Sequence, residues 1–201
     1  MQGILRLIRK IEGMFDQREN NMPFGKRLLA YAIDWGAGGI FSGIPAVLLY
    51  GAITGKNDMF SNLYIFEALG YDWYWGVIAG LLCILFALFY YVYVPWKIYP
   101  GQTLGKRYAG IKIEKVDGSA ARLSDLLIRY AFAAFLLESS AYVISTYIRQ
   151  TVTLMMRFYV DTVWMYAGAL VTLMSVMMIA NTRSHRGLHD YIAKTKVVLC
   201  S

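Results

Sequence analysis

The sequence predicts an all-α membrane protein with four transmembrane helices and both termini cytoplasmic. To these it adds an amphipathic N-terminal helix and a short cytoplasmic β-ribbon. Three observations carry this prediction. Hydrophobic residues make up 58% of the 201 residues and only 16% are charged, against about 25% in an average soluble domain. The apolar residues fall in long runs rather than alternating. Of the 20 Lys and Arg residues, 17 gather in three segments and leave two connections nearly free of positive charge.

The N-terminal segment, residues 1–22, repeats Ile4, Ile8, Ile11 and Phe15 at helical spacing, opposite Arg6, Arg9 and Lys10. This reads as a helix lying on the cytoplasmic leaflet, or one that binds a partner. Charges interrupt its apolar residues, so no signal peptide is predicted. A membrane domain over residues 23–199 follows. Its spans are expected near Leu28–Tyr50, Trp73–Trp96, Leu126–Ile148 and Tyr159–Ala180, each close to the roughly 20 residues that cross the hydrocarbon. A cytoplasmic loop occupies 97–125 and a cytoplasmic tail 181–201. Tyr71, Trp73, Tyr74 and Trp75 crowd one end of the second span, and Tyr90, Tyr91, Tyr93 and Trp96 the other, as amphipathic rings at headgroup level do. Ile111–Val116 alternates with period two and ends at Asp117-Gly118, a turn signal. Thr195–Leu199 is a second β-branched run, and the two are expected to pair beneath the membrane. A lone ribbon is marginal in water, so it must pack on the helices or the bilayer.

Asp34 stands inside an otherwise uncharged stretch from Leu28 to Gly55. A carboxylate at a span centre costs roughly 2.5–3.5 kcal/mol on insertion scales, and less near the interface. Arg27 precedes it by about two helical turns, on the same face and about 10 Å away along the axis. Asp34 is therefore a cation or proton site, or half of a structural ion pair. Arg27 is either an anchor that snorkels to the interface or a partner for an acidic group. Glu138 falls near the middle of the third span beside Ser139 and Ser140, with Arg129 counted in the loop flank. It suits proton exchange, and equally an interhelical hydrogen bond. Small residues Gly36, Gly38, Gly39 and Gly43 favour close helix packing in the first span, and Pro45 adds a kink.

Three separated stretches carry a family resemblance. They are Pro23–Asp34, then Gly101–Arg107 with Gly110–Ile113, and finally Arg186–Thr195. In this order they resemble the RDD family of small integral membrane proteins, named for an arginine and two aspartates, over nearly the whole chain. By position the three residues fall on Arg27, Asp34 and Asp190. His185 is not part of the resemblance.

The resemblance implies a bacterial cytoplasmic-membrane protein that transports an unspecified ligand, with sodium/proton exchange attributed to some members. It also implies accessory roles beside other membrane systems. It raises Asp190 above a merely solvated carboxylate. A polar cluster of Arg27, Asp34 and Asp190 results, which Arg107 can join because Gly105 and Gly110 let that loop approach closely. His189 is a candidate sensor of cytoplasmic acidity, or simply a hydrogen-bonding tail residue.

The expected function is monovalent cation/proton exchange by intramembrane carboxylates. The alternative is an accessory or scaffold subunit whose basic cytoplasmic face docks a partner or anionic lipid. Four spans are few for alternating access, so transport predicts a homo-oligomer or a membrane-protein partner. No phosphate-binding loop, HExxH or nucleophile elbow is present, and no enzyme activity is expected. No cofactor or metal is expected, since Cys83 and Cys200 form no redox or ligand motif. The net charge of +7 is read as loops facing anionic lipid and not as a nucleic-acid surface.

Overall fold

The computed structural model of this protein describes residues 19–58 and 60–200, so the amphipathic helix expected over residues 1–22 lies almost wholly outside the described residues. The first long helix, α1, runs from Phe24 to Thr54. Its 31 residues rise about 46 Å, more than the roughly 30 Å of hydrocarbon, so α1 must tilt or project. It stops where Gly55 takes a left-handed conformation and its N–H returns to the Gly51 carbonyl. The buried stripe of α1 is built mostly from small residues: Ala30, Gly38, Ser42, Gly43 and Ala46. That stripe lets α1 lie close against its neighbours. A Cβ on Gly38 would collide with the Tyr91 ring, and one on Gly39 would sit 2.9 Å from a Val143 methyl. The opposite face, with Leu28, Trp35, Ile40, Val47 and Leu48, is exposed and apolar.

After a one-turn helix, α2 (Ile65–Ala68), the second long helix α3 runs from Tyr74 to Leu88 and continues through Phe89–Ile98 as a widened π-helix containing Pro95. Then come α4 (Leu104–Tyr108), strand β1 (Ile111–Lys115) and α5 (Leu123–Leu127), which also widens into a π-helix over Ile128–Leu137. Helices α6 (Val143–Met156), α7 (Asp161–Asn181) and α8 (Leu188–Ile192) precede strand β2 (Thr195–Leu199). The two strands pair, as expected, and do so antiparallel, with Ile111 opposite Leu199 and Lys115 opposite Thr195. Ile111, Ile113 and Val197 turn inward and are buried, which supplies the packing a two-stranded ribbon needs.

Among the described residues, three helices are long and apolar enough to cross a membrane: Phe24–Thr54, Tyr74–Ile98 and Asp161–Asn181. The span expected over Leu126–Ile148 is not one helix. It breaks at Glu138 and resumes at Val143. Three polar residues in a row start the break, and its backbone is satisfied from outside the segment. Trp164 Nε1 donates to the Leu136 carbonyl at 2.9 Å, Arg149 donates to the Ser139 carbonyl and Tyr31 to that of Ala141. Non-helical backbone at membrane depth is stable only with such protein partners. Tyr91, Tyr130, Phe135 and Tyr142 pack ring on ring around the break, with centroids 5.2–6.1 Å apart.

Candidate functional site

Polar side chains collect at the end of the bundle that carries the ribbon, where the 97–125 loop and the tail fold back onto α1. Asp34, 1% exposed, does not pair with Arg27. Lys106 Nζ reaches its Oδ2 at 2.9 Å, and Thr103 Oγ1 donates to the same oxygen at 2.5 Å. Tyr90 and the backbone N–H of Gly105 each donate to Oδ1 at 2.9 Å. Four donors therefore occupy one carboxylate, a full complement for a buried anion. The sequence permits this because residue 105 is glycine. A Cβ there would meet the Ala30 carbonyl and stand 2.8 Å from the Asp34 carboxyl.

Arg27 pairs with Asp190 at 2.7 Å and donates to the His185 carbonyl at 2.7 Å. Arg129 takes the other Asp190 oxygen and also donates to Thr195 Oγ1 at 2.7 Å. Arg186 donates to the carbonyls of Thr195 and Asp190 and lies over the Tyr191 ring. Asp190 also accepts from the N–H of Gly187, which closes the first turn of α8. Burial alone would raise the Asp190 carboxyl, but the charges of Arg129 and Arg27 outweigh it and hold the group well below the usual carboxylate range. Burial would likewise lower Lys106, but Asp34 holds its ammonium above the ordinary lysine value.

Glu138 finds its partner in the tail. His189 Nδ1 lies 2.9 and 3.0 Å from the two carboxyl oxygens, and the His189 N–H donates to Oε1 at 3.1 Å. Nε2 of the same ring is 3.5 Å from Asp190, so His189 links the two carboxylates. Glu138 and His189 line a cavity of about 190 Å³ between α1 and α7, with Arg27, Lys106 and Arg129 also in its wall. Towards the far end of the bundle, Arg149 pairs with Asp161 at 2.7 Å, and Tyr64 donates to Asp161 at 3.4 Å.

The expected cluster thus resolves into linked pairs, in which Arg27 meets Asp190, and Glu138 meets His189, while Asp34 is held by the loop. Arg107 stays outside and stacks on Tyr99, 3.9 Å from its ring centroid, while its neighbour Lys106 turns inward. Lys106, Thr103, Arg129 and Arg149 are the residues that sequence reasoning passed over. Arg129 and Arg149 carried a signal, a cation within or next to an apolar run. Lys106 did not, since it reads as one more loop lysine.

Residues 22–194 match the model of the RDD family, and the chain belongs to that family. No curated protein and no solved structure matches it.

Proposed function

We propose that this RDD family member is an integral membrane protein that exchanges a monovalent cation for a proton, with Glu138 and His189 as the exchanging pair. The observation that carries this reading is the pair's position. It sits at a broken helix, on the wall of a cavity, whereas Asp34 is saturated by four donors. An exchange site needs a carboxylate that can be approached and can change partners. Glu138 meets both needs, since its principal partner is an imidazole. In this reading Arg27, Asp34 and Asp190 lock the loop and tail to the bundle and keep the pair in place. The protein acts without enzymatic chemistry and works as a homo-oligomer, with its ribbon and termini cytoplasmic.

Reconstitution in liposomes carrying a pH-sensitive dye, under imposed sodium, potassium or lithium gradients, tests the reading. Wild-type protein is expected to move protons against at least one gradient. Glu138→Gln should lower that flux by about tenfold or more, the scale of losing a proton-transfer group. Well-folded wild-type protein that moves no protons under any gradient would overturn it. The second reading, an accessory subunit, is favoured by the same saturation of Asp34 and Asp190, because a fully paired polar cluster specifies a rigid docking face. Recovery of a stoichiometric membrane partner together with zero flux would select it.

A further inference from the structure

The cavity beside Glu138 has features that cation/proton exchange does not use. Its inner wall holds three cations, Arg27, Lys106 and Arg129, beside one carboxylate, Glu138, which His189 engages. Two of these guanidinium groups share the single carboxylate of Asp190, while Lys106 is paired with Asp34. The Arg129 side chain is 3% exposed, and its Nε–H has no hydrogen-bond partner among the described residues. Thr172 Oγ1, also in the wall, is buried without a partner too. A buried unsatisfied donor is costly, on a guanidinium above all, and the two residues that carry one here both line this cavity. The outer wall is apolar: Phe24 and Leu28 on α1, Val176 and Ile179 on α7. Leu28 and Val176 are 54% and 44% exposed, on the outward surface of the bundle. Helices α1 and α7 flank the cavity but make little direct contact with each other, so the gap between them opens sideways. At 190 Å³ the cavity far exceeds the ~30 Å³ share of a liquid water.

We propose that this cavity is a binding site for a membrane phospholipid. The lipid phosphate would accept from Arg129 and Thr172, close to Arg27 and Lys106, and an acyl chain would leave between Leu28 and Val176. Arginine suits such a site because its planar donors match phosphate oxygens. The apolar exit selects a lipid over free phosphate, because an inorganic ion would leave those side chains uncovered. The inference does not depend on the exchange reading, and proton flux is not its readout.

The test uses the full-length protein in neutral detergent, with native mass spectrometry and thermal unfolding. Phosphatidylglycerol, phosphatidylcholine and inorganic phosphate are supplied separately. Phosphatidylglycerol is expected to bind about tenfold more tightly than phosphatidylcholine, whose choline cation is repelled by Arg27, Lys106 and Arg129, and to raise the unfolding midpoint. Inorganic phosphate should neither reproduce the shift nor displace the lipid. Val176→Trp and Leu28→Trp, which fill the exit from its two sides, should abolish the selective binding. Leu48→Trp, on an exposed face of α1 outside the cavity, should keep it. Equal binding of the two lipids would overturn the proposal, as would displacement by inorganic phosphate. Selective binding that survives both exit variants would also overturn it. The wild-type comparison decides the matter even if a variant fails to fold.

Discussion

At the residue scale, the chemistry lies in how each buried charge is answered. Removing one partner of a buried ion pair strands the other, at a cost of about 3–5 kcal/mol, whereas removing both is much cheaper. Lys106→Met should therefore destabilise the protein strongly by leaving Asp34 buried and short of its cation. Adding Asp34→Asn should restore part of the loss, and a double-mutant cycle on unfolding free energies measures the coupling. Simple additivity would show that the pair is not coupled. Asp190 carries the pH dependence. Its carboxyl is depressed in the folded state, so its stabilising contribution is fully present above the unfolded value and is lost as pH falls through the folded one. That value lies well below the usual carboxylate range, so acid unfolding of wild type should come late. In Arg129→Gln, with one of the two cations gone, the transition should shift to higher pH in a thermal-unfolding series. Asp34 was legible as an anomaly because a lone carboxylate in an apolar run is rare. Its partner was not. Helical spacing offered Arg27, but the cation arrives from residue 106, and no local rule ties positions 34 and 106.

At the scale of elements, the long apolar helices and the ribbon were legible because each has its own period: continuous apolar runs for α1, α3 and α7, alternation for β1 and β2. The break in the third segment was not. Composition over Leu126–Ile148 is apolar enough to pass for a span, and only the tertiary partners of Leu136, Ser139 and Ala141 make an interruption affordable. Glycines separate in a similar way. Gly105 is required by contact and Gly110 by conformation, since Gly110 has a φ of 67° but open space where its Cβ would be. Gly110→Ala should cost about 1 kcal/mol, the price of a left-handed non-glycine residue. Gly105→Ala should cost more, about 1–3 kcal/mol, and should loosen the loop from Asp34. Hydrogen exchange of the Gly105 amide distinguishes the two: faster in the Gly105-region only for the second variant, unchanged for the first. Equal effects on that amide would refute the contact argument.

At the scale of the whole molecule, the ribbon constrains how often the chain crosses the bilayer. Strand β1 follows α3, and β2 follows α7, yet the two are hydrogen-bonded neighbours. Asn20, just before α1, is tied to the same end, with its N–H on the Arg183 carbonyl and its side chain on that of Val197. If α1, α3 and α7 each cross once, the chain stands at the ribbon end after α3 and must reach the far end before α7. The broken segment α5–α6 then makes the remaining crossing, in two halves hinged at Glu138. The far-end ion pair of Arg157 with Glu67, 2.7 Å long, agrees with this path. On this proposed path of four crossings both termini would fall on one side, which the charge bias would make the cytoplasmic one. The native thiols report on this directly, because Cys200 is exposed and Cys83 buried. In intact cells a membrane-impermeant maleimide should leave Cys200 unlabelled until the membrane is permeabilised. In Lys56→Cys with Cys200→Ser, the same reagent should label intact cells, since residue 56 lies at the far end. Three crossings would put residues 56 and 200 on the same, outer side. Labelling of both residue 56 and Cys200 in intact cells would thus remove the crossing at Glu138, and with it the intramembrane position that the exchange reading requires.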